Sequence, residues 1–143
     1  IIGNVLDHDY LEICINATRK LGMKENIKFI HGESCIQSLL VNYDLGLHVS
    51  LEETGPLVLL EYLAQGLPFL SYQTGQVSKK VNRHFPSLFM NDFEISNWVN
   101  RTVELRSTLP NRVQKQMKVF FNNNYSMDKF YNNCLNIYQK NIN

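Results

Sequence analysis

The chain has 143 residues, long enough for one domain with its own core, and 44% of them are hydrophobic against 19% charged. A net charge of +1 offers no basic surface for nucleic acid, and no apolar run is long enough to cross a bilayer. Three cysteines, Cys14, Cys35 and Cys134, are odd in number and lack C-x-x-C spacing, which argues for reduced thiols in a cytoplasmic protein rather than a disulfide framework.

In chain order, Ile1-Ile2-Gly3 reads as the end of a strand running into a glycine turn. There is no opening methionine, so residues 1–143 are expected to be a single domain truncated on its amino-terminal side. Asp7 or Asp9 caps a helix through Leu21, with Tyr10, Leu11, Ile13, Cys14, Ala17 and Leu21 as its apolar side and Gly22 as its stop. Residues 27–30 form the next strand, ending at His31-Gly32. Ser34 caps a helix over residues 36–43, and residues 44–50 make a third strand. Gly55-Pro56 opens the central helix, because proline suits a first helical position. The run from Leu57 to Ala64 is apolar on nearly every side and predicts burial on more than one face. Gly66 ends this helix, and Pro68 leads into a buried strand, Phe69-Leu70-Ser71-Tyr72.

Residues 74–85 read as a loop with a short helix, broken at Pro86, and residues 87–90 as a last short strand. Asp92 caps a helix carrying Phe93, Ile95, Trp98, Val99 and Val103. Pro110 opens another through Phe121, and Ser126 caps a final one with Phe130, Cys134, Ile137 and Tyr138. Trp98, Phe120, Phe121 and Tyr138 are read as core. This alternation predicts an α/β fold, a Rossmann-like parallel sheet with helices on both faces. Ligands of such sheets sit at the carboxyl ends of the strands. Glu53 lies just after one of those ends.

Two carboxylates frame the central helix. Glu61 has Leu57, Val58, Leu60, Tyr62 and Ala64 around it, and a carboxylate among apolar neighbours needs a partner such as a ligand hydroxyl. Glu53 precedes the helix start, where free N–H groups make an anion site worth roughly 0.3–1 kcal/mol, and up to about 2 when partly buried.

The spacing Glu53-x7-Glu61, continued by Ala64, Gly66 and Pro68, resembles the E-x7-E signature of retaining GT-B glycosyltransferases, most closely those of group 1 (family 4). Gly55 and Thr74-Gly75 match the family's glycine positions. The segment 27–32 resembles its V-x-F-x-G strand, and residues 43–50 its A-D-x-x-x-x-P-S strand. The resemblance implies the carboxyl-terminal, donor-binding half of a GT-B enzyme. Such an enzyme transfers a hexose from a nucleoside diphosphate sugar, with retention, to a glycan or lipid-linked acceptor bound by a missing amino-terminal domain. It implies Glu53 as the catalytic sugar contact and Glu61 on the ribose hydroxyls. Backbone N–H groups at Leu57 and Val58, near Gly55, would face the diphosphate. His31-Gly32 would lie beside the base, and Thr74-Gly75 beside the sugar or phosphate. No metal and no cofactor beyond the donor substrate are expected, since a helix N-terminus can stabilise a diphosphate leaving group without a bound metal.

The same resemblance implies polysaccharide biosynthesis in the cytoplasm or at the inner face of the membrane, and the richness in asparagine points to an AT-rich, bacterial genome. The full-length protein would be membrane-associated at most peripherally, and this fragment alone inactive. The chain departs from the family pattern at Thr54, at Pro56-Leu57, and after Gly75, where no glutamate follows. Lys79 and Lys80 read as a solvated pair. His8, His31, His48 and His84 show no metal-binding spacing, and His48 reads as an ordinary strand or surface residue. The competing readings are a nucleotide-sugar 2-epimerase of the same fold and a non-catalytic nucleotide-binding domain.

Overall fold

The computed structural model of the chain describes residues 1–32, 35–108 and 111–142. Two compact units divide it, Ile1–Ile36 and Gln37–Asn143. In the first, α1 (His8–Lys20) begins where the Asp7 carboxylate accepts the Tyr10 N–H at 2.9 Å. This satisfies a donor that the helix itself cannot. Gly22, at φ 68°, turns the chain away after the last turn. The strands expected at residues 1–3 and 27–30 reduce to one parallel bridge, Ile2 to Ile30. The Asn26 and Ile27 N–H groups both turn back to the Met23 carbonyl, at 2.9 and 3.1 Å, which leaves little extended chain to pair.

The second unit holds α2 (Ile36–Leu40, starting at the boundary), β1 (Gly46–His48), α3 (Leu57–Gln65), β2 (Phe69–Tyr72) and α4 (Gly75–Asn82). A 3-10 turn (Pro86–Leu88), β3 (Phe89–Met90), α5 (Ile95–Thr108), α6 (Asn111–Tyr125) and α7 (Met127–Ile142) follow. The strands form a parallel sheet in the order β1-β2-β3. Parallel neighbours need a crossover, and α3 and α4 supply the two. The α/β, Rossmann-like class is therefore the one expected.

Several boundaries differ from expectation. The second helix stops at Leu40, short of Tyr43, because the Asn42 and Tyr43 N–H groups bend back to Leu39 and Leu40 in tight turns. Only residues 46–48 of the expected strand 44–50 pair. Pro56 caps α3 from outside, at ψ 98°, rather than occupying its first turn. Helix α6 runs past Phe121 to Tyr125. Ser34 and Pro110, the expected caps, lie outside the described residues. Trp98 and Phe120 are buried as expected, whereas Tyr138 is exposed on α7.

The register of β1 on β2 pairs Gly46 with Phe69, Leu47 with Leu70 and His48 with Ser71. Side chains alternate along a strand, so Gly46 and His48 share a face with Phe69 and Ser71. On that face the Phe69 ring meets Tyr62 of α3 at 5.6 Å and Phe89 edge-on at 5.8 Å. Gly46 makes room for this: a Cβ there would lie 2.6 to 2.9 Å from atoms of the Tyr62 ring. Leu59 and Leu63 complete the buried stripe of α3, each contributing about 1.5–3 kcal/mol by burial. Leu57 is 68% exposed, but the rest of α3 is buried or half-buried between the sheet and α6, so the helix buries more than one face, as its composition suggested. On the other face, Leu47 and Val49 line a hollow with Trp98 and Val99 of α5, so helices flank both faces. Gly66 ends α3 at φ 65°, and a Cβ there would meet the Gln114 carbonyl of α6 at 3.0 Å. Among the described residues no helix is long and apolar enough to cross a membrane.

The close fit of Gly46 under Tyr62 is testable by a double-mutant cycle in urea. Gly46→Ala is expected to cost about 1–3 kcal/mol in the natural background and clearly less beside Tyr62→Leu. Equal costs in both backgrounds would refute the overlap with the ring.

Candidate functional site

The carboxyl ends of β1 and β2 open into two loops that are tied to one another. The Glu53 N–H donates to Thr74 Oγ1 at 2.9 Å, and the Gln76 N–H donates to the Thr54 carbonyl at 3.1 Å. Between these bonds Gly75 sits at φ 74°. A Cβ on it would lie 2.8 Å from the Glu53 carbonyl and from Pro56 Cδ, and 2.9 Å from the Thr54 carbonyl. Both the backbone angle and the space call for glycine. Ser78, fully buried one turn along α4, directs its hydroxyl to the Thr74 and Gly75 carbonyls and holds the second loop from beneath.

These ties bring Glu53, Thr74 and Gly75 together in front of α3. Its first turn carries Leu57 and Val58, and no side chain caps it. Their N–H groups are among those that a helix cannot satisfy internally, and they suit an anion. Gly55 answers no comparable demand. Its φ is not positive, and a Cβ would meet only Val77 Cγ2, at 3.8 Å.

Glu61 lies one turn along the same stripe as Leu57, roughly 6 Å further down the axis. It is half-buried and takes a hydrogen bond from Gln37 Nε2 at 3.3 Å. The structure thus corrects the expectation of a carboxylate enclosed by apolar neighbours. Burial first, and the Glu61 carboxylate second, push the Tyr62 hydroxyl above its ordinary pKa.

Sequence reasoning missed His48. Its Nε2 lies 3.6 Å from Glu53 Oε1 and its Nδ1 lies 3.0 Å from Ser71 Oγ. The imidazole is 10% exposed and the Glu53 side chain 37%. Strand alternation held the signal: His48 shares the inward face with Gly46 at the strand end that leads to Glu53.

His31 and Gly32 belong to the first unit. There His31 lines a hollow of 430 Å³ with Tyr10, Leu11, Cys14 and Phe29, and Gly32 stands at φ 74°. Of the basic pair, Lys79 is exposed and Lys80 lies over the Tyr125 ring, 4.8 Å from its centre. Another hollow of the second unit, lined by Asp44, Gln65, Pro68, Arg106 and Gln114, lies at the amino ends of β1 and β2. The carboxyl edge is the better candidate, because the strand ends, the uncapped helix start and the paired loops converge there.

Residues 1–118 match the family Glycosyl transferases group 1. The chain belongs to this family. Over 52 residues it is 38% identical to the lipopolysaccharide glucosyltransferase WaaG of Escherichia coli (strain K12). That stretch is 36% of this chain and 14% of the relative, so the match spans a small part of that protein's length. No solved structure matches the chain. The E-x7-E helix, both tied loops and the parallel sheet all fall inside the family match.

The two glycines of this edge should respond differently to substitution. Gly75→Ala is expected to destabilise by about 2 kcal/mol or more, from the left-handed backbone and the three close carbonyl and ring contacts. Gly55→Ala should stay within about 0.5 kcal/mol of the natural chain. Urea unfolding of both variants measures the contrast.

Proposed function

We propose that this chain binds a nucleoside diphosphate sugar at the carboxyl edge of its sheet, and that it serves a retaining glycosyltransferase as the donor-binding part. Family membership supports sugar transfer. The observation that supports the site is the pair of tied loops, which sets Glu53 before the uncapped start of α3, with Glu61 one turn further along. In this reading the Leu57 and Val58 N–H groups take the diphosphate. Their partial positive charge stabilises the charge that grows on the leaving group as its bond to the sugar breaks. Glu61 accepts ribose hydroxyls, and Glu53 accepts sugar hydroxyls. The acceptor binds on a separate domain; its hydroxyl oxygen forms the new bond on the face the diphosphate leaves, and its proton passes to the departing diphosphate. The donor needs no metal in this scheme, because the helix start supplies the charge.

The relative is a lipopolysaccharide glucosyltransferase, which makes glucose the first sugar and a lipid-linked glycan the first acceptor to test. Work with a lipid-linked acceptor fits action at the cytoplasmic face of a membrane, with peripheral attachment at most.

The chain should bind one of UDP, GDP and ADP in ligand-observed NMR. Glu61→Ala should weaken that binding about tenfold, the loss expected for hydrogen bonds to a charged group. Binding of the nucleotide that is unchanged by Glu61→Ala would remove Glu61 from the site. Failure of all three nucleotides to bind would remove the proposal.

A further inference from the structure

The net charge of +1 conceals a division of the chain. Residues 1–61 carry nine carboxylates against four lysines and arginines, whereas residues 62–143 carry four against ten. No aspartate or glutamate occurs in residues 62–91 or in residues 105–127. Helix α4 lies wholly in the first of these stretches and α6 wholly in the second. The fold brings the two together. The Phe120 ring of α6 meets His84 at 4.5 Å and Phe85 edge-on at 5.5 Å, and Lys80 of α4 lies over Tyr125 at the end of α6.

A hollow of 580 Å³ runs along this junction, and His84, Arg112, Lys115, Val119 and Asn123 help to line it. The α6 members fall at the spacing of one helix face, roughly 16 Å from Arg112 to Asn123. Arg83, Arg112 and Lys115 are exposed, and among the described residues no carboxylate pairs with them or with Lys80. Local stability accounts for Lys79 and Lys80, which stand in the last turn of α4, where the helix charge is negative. It does not account for Arg112 and Lys115. They fall within the first five residues of α6, where the helix charge is positive and no acidic residue of the first turn offsets it. Cations set against the helix charge and against one another are best satisfied by an anion from outside the chain. Val119, in the same hollow, is 57% exposed and gives the face an apolar point as well.

We infer that the α4–α6 face docks on the surface of an anionic phospholipid bilayer. A spread row of flexible cations with an exposed apolar side chain suits a plane of phosphate headgroups above acyl chains, whereas a single phosphate needs donors that converge on one point. The purpose of this face rests on the reading of a lipid-linked acceptor. Helix α4 starts at Gly75, in the proposed donor edge, and ends about 12 Å further on at the basic face. A chain docked there holds its donor edge close to the membrane that carries the acceptor.

Co-sedimentation of the full chain with vesicles tests the docking. The chain should bind an equal mixture of phosphatidylglycerol and phosphatidylcholine, should ignore phosphatidylcholine alone, and should bind less as salt rises. Arg112→Gln with Lys115→Gln should weaken binding about 25-fold, at about fivefold for each cation near an anionic surface. Lys24→Gln with Lys28→Gln removes the same charge from exposed positions of the first unit and should leave binding unchanged. No binding to the mixed vesicles, equal binding to both kinds, or equal losses in the two double variants each overturns the inference. Capture of poly-glutamate in place of vesicles assigns the face to an acidic protein and overturns it too. The donor site is read separately, by nucleotide binding. Failure on vesicles with nucleotide binding intact brings down the membrane face alone, and a natural chain that binds vesicles but no nucleotide brings down the donor site alone.

Discussion

The parallel register of β1 on β2 is the constraint from which the candidate site follows. Pairing Gly46 with Phe69 puts the one residue without a side chain beneath the Tyr62 ring, which lets α3 lie close to the sheet. Two residues on, the same register puts His48 opposite Ser71 on the same face. A slip of one residue would send both side chains to the other face, where Leu47 and Val49 meet α5. The geometry behind Glu53 is thus a by-product of how the core closes, and needs no special backbone at His48.

What the register leaves to be fixed, the loops fix. Glu53 follows β1 by a few residues of exposed chain, which alone would leave its direction open. Its N–H is tied to Thr74, Thr54 is tied to Gln76, and Gly75 fills the gap with no room for a methyl group. Ser78 anchors the second loop to α4. An edge built this way is organised before any ligand arrives, so less of the binding free energy is lost in ordering it.

Local rules made much of this legible in the sequence. Asp7 as a cap, Gly22 and Gly66 as stops, and the strand over residues 69–72 are decided by neighbours in the chain, and the structure has them. Strand length was not legible. Residues 27–30 and 44–50 look extended, but whether they pair depends on partners far along the chain, and one kept a single bridge while the other kept three residues. Burial went the same way: Leu57 and Tyr138 are apolar on helices, yet they stand on sides that nothing covers within their unit. In the candidate site, motif spacing brought out Glu53, Glu61 and Gly75. The reason Gly75 must be glycine lies in two carbonyls from another loop, which no local pattern encodes. His48 escaped because an isolated histidine in a short strand looks the same whether or not a carboxylate stands over it.

The charge pattern of the edge bears on the kind of ligand it suits. Two carboxylates, Glu53 and Glu61, flank a helix start that favours anions, and Lys80, a cation near enough in sequence to help, lies over Tyr125 instead. Two carboxylates oppose the binding of a free phosphate, since the helix start offers only about half an elementary charge. The conflict is resolved by a ligand that is anionic at one point and rich in hydroxyls on both sides of it. Hydroxyls donate to carboxylates, so each glutamate becomes a partner rather than a repeller, and the N–H groups between them are left for the anion. A nucleoside diphosphate sugar has that order of groups, with ribose, diphosphate and hexose in line. Inorganic phosphate or a nucleoside without its sugar meets only part of it. In the proposed reading, the acidic residues of the edge therefore favour the whole donor over its fragments.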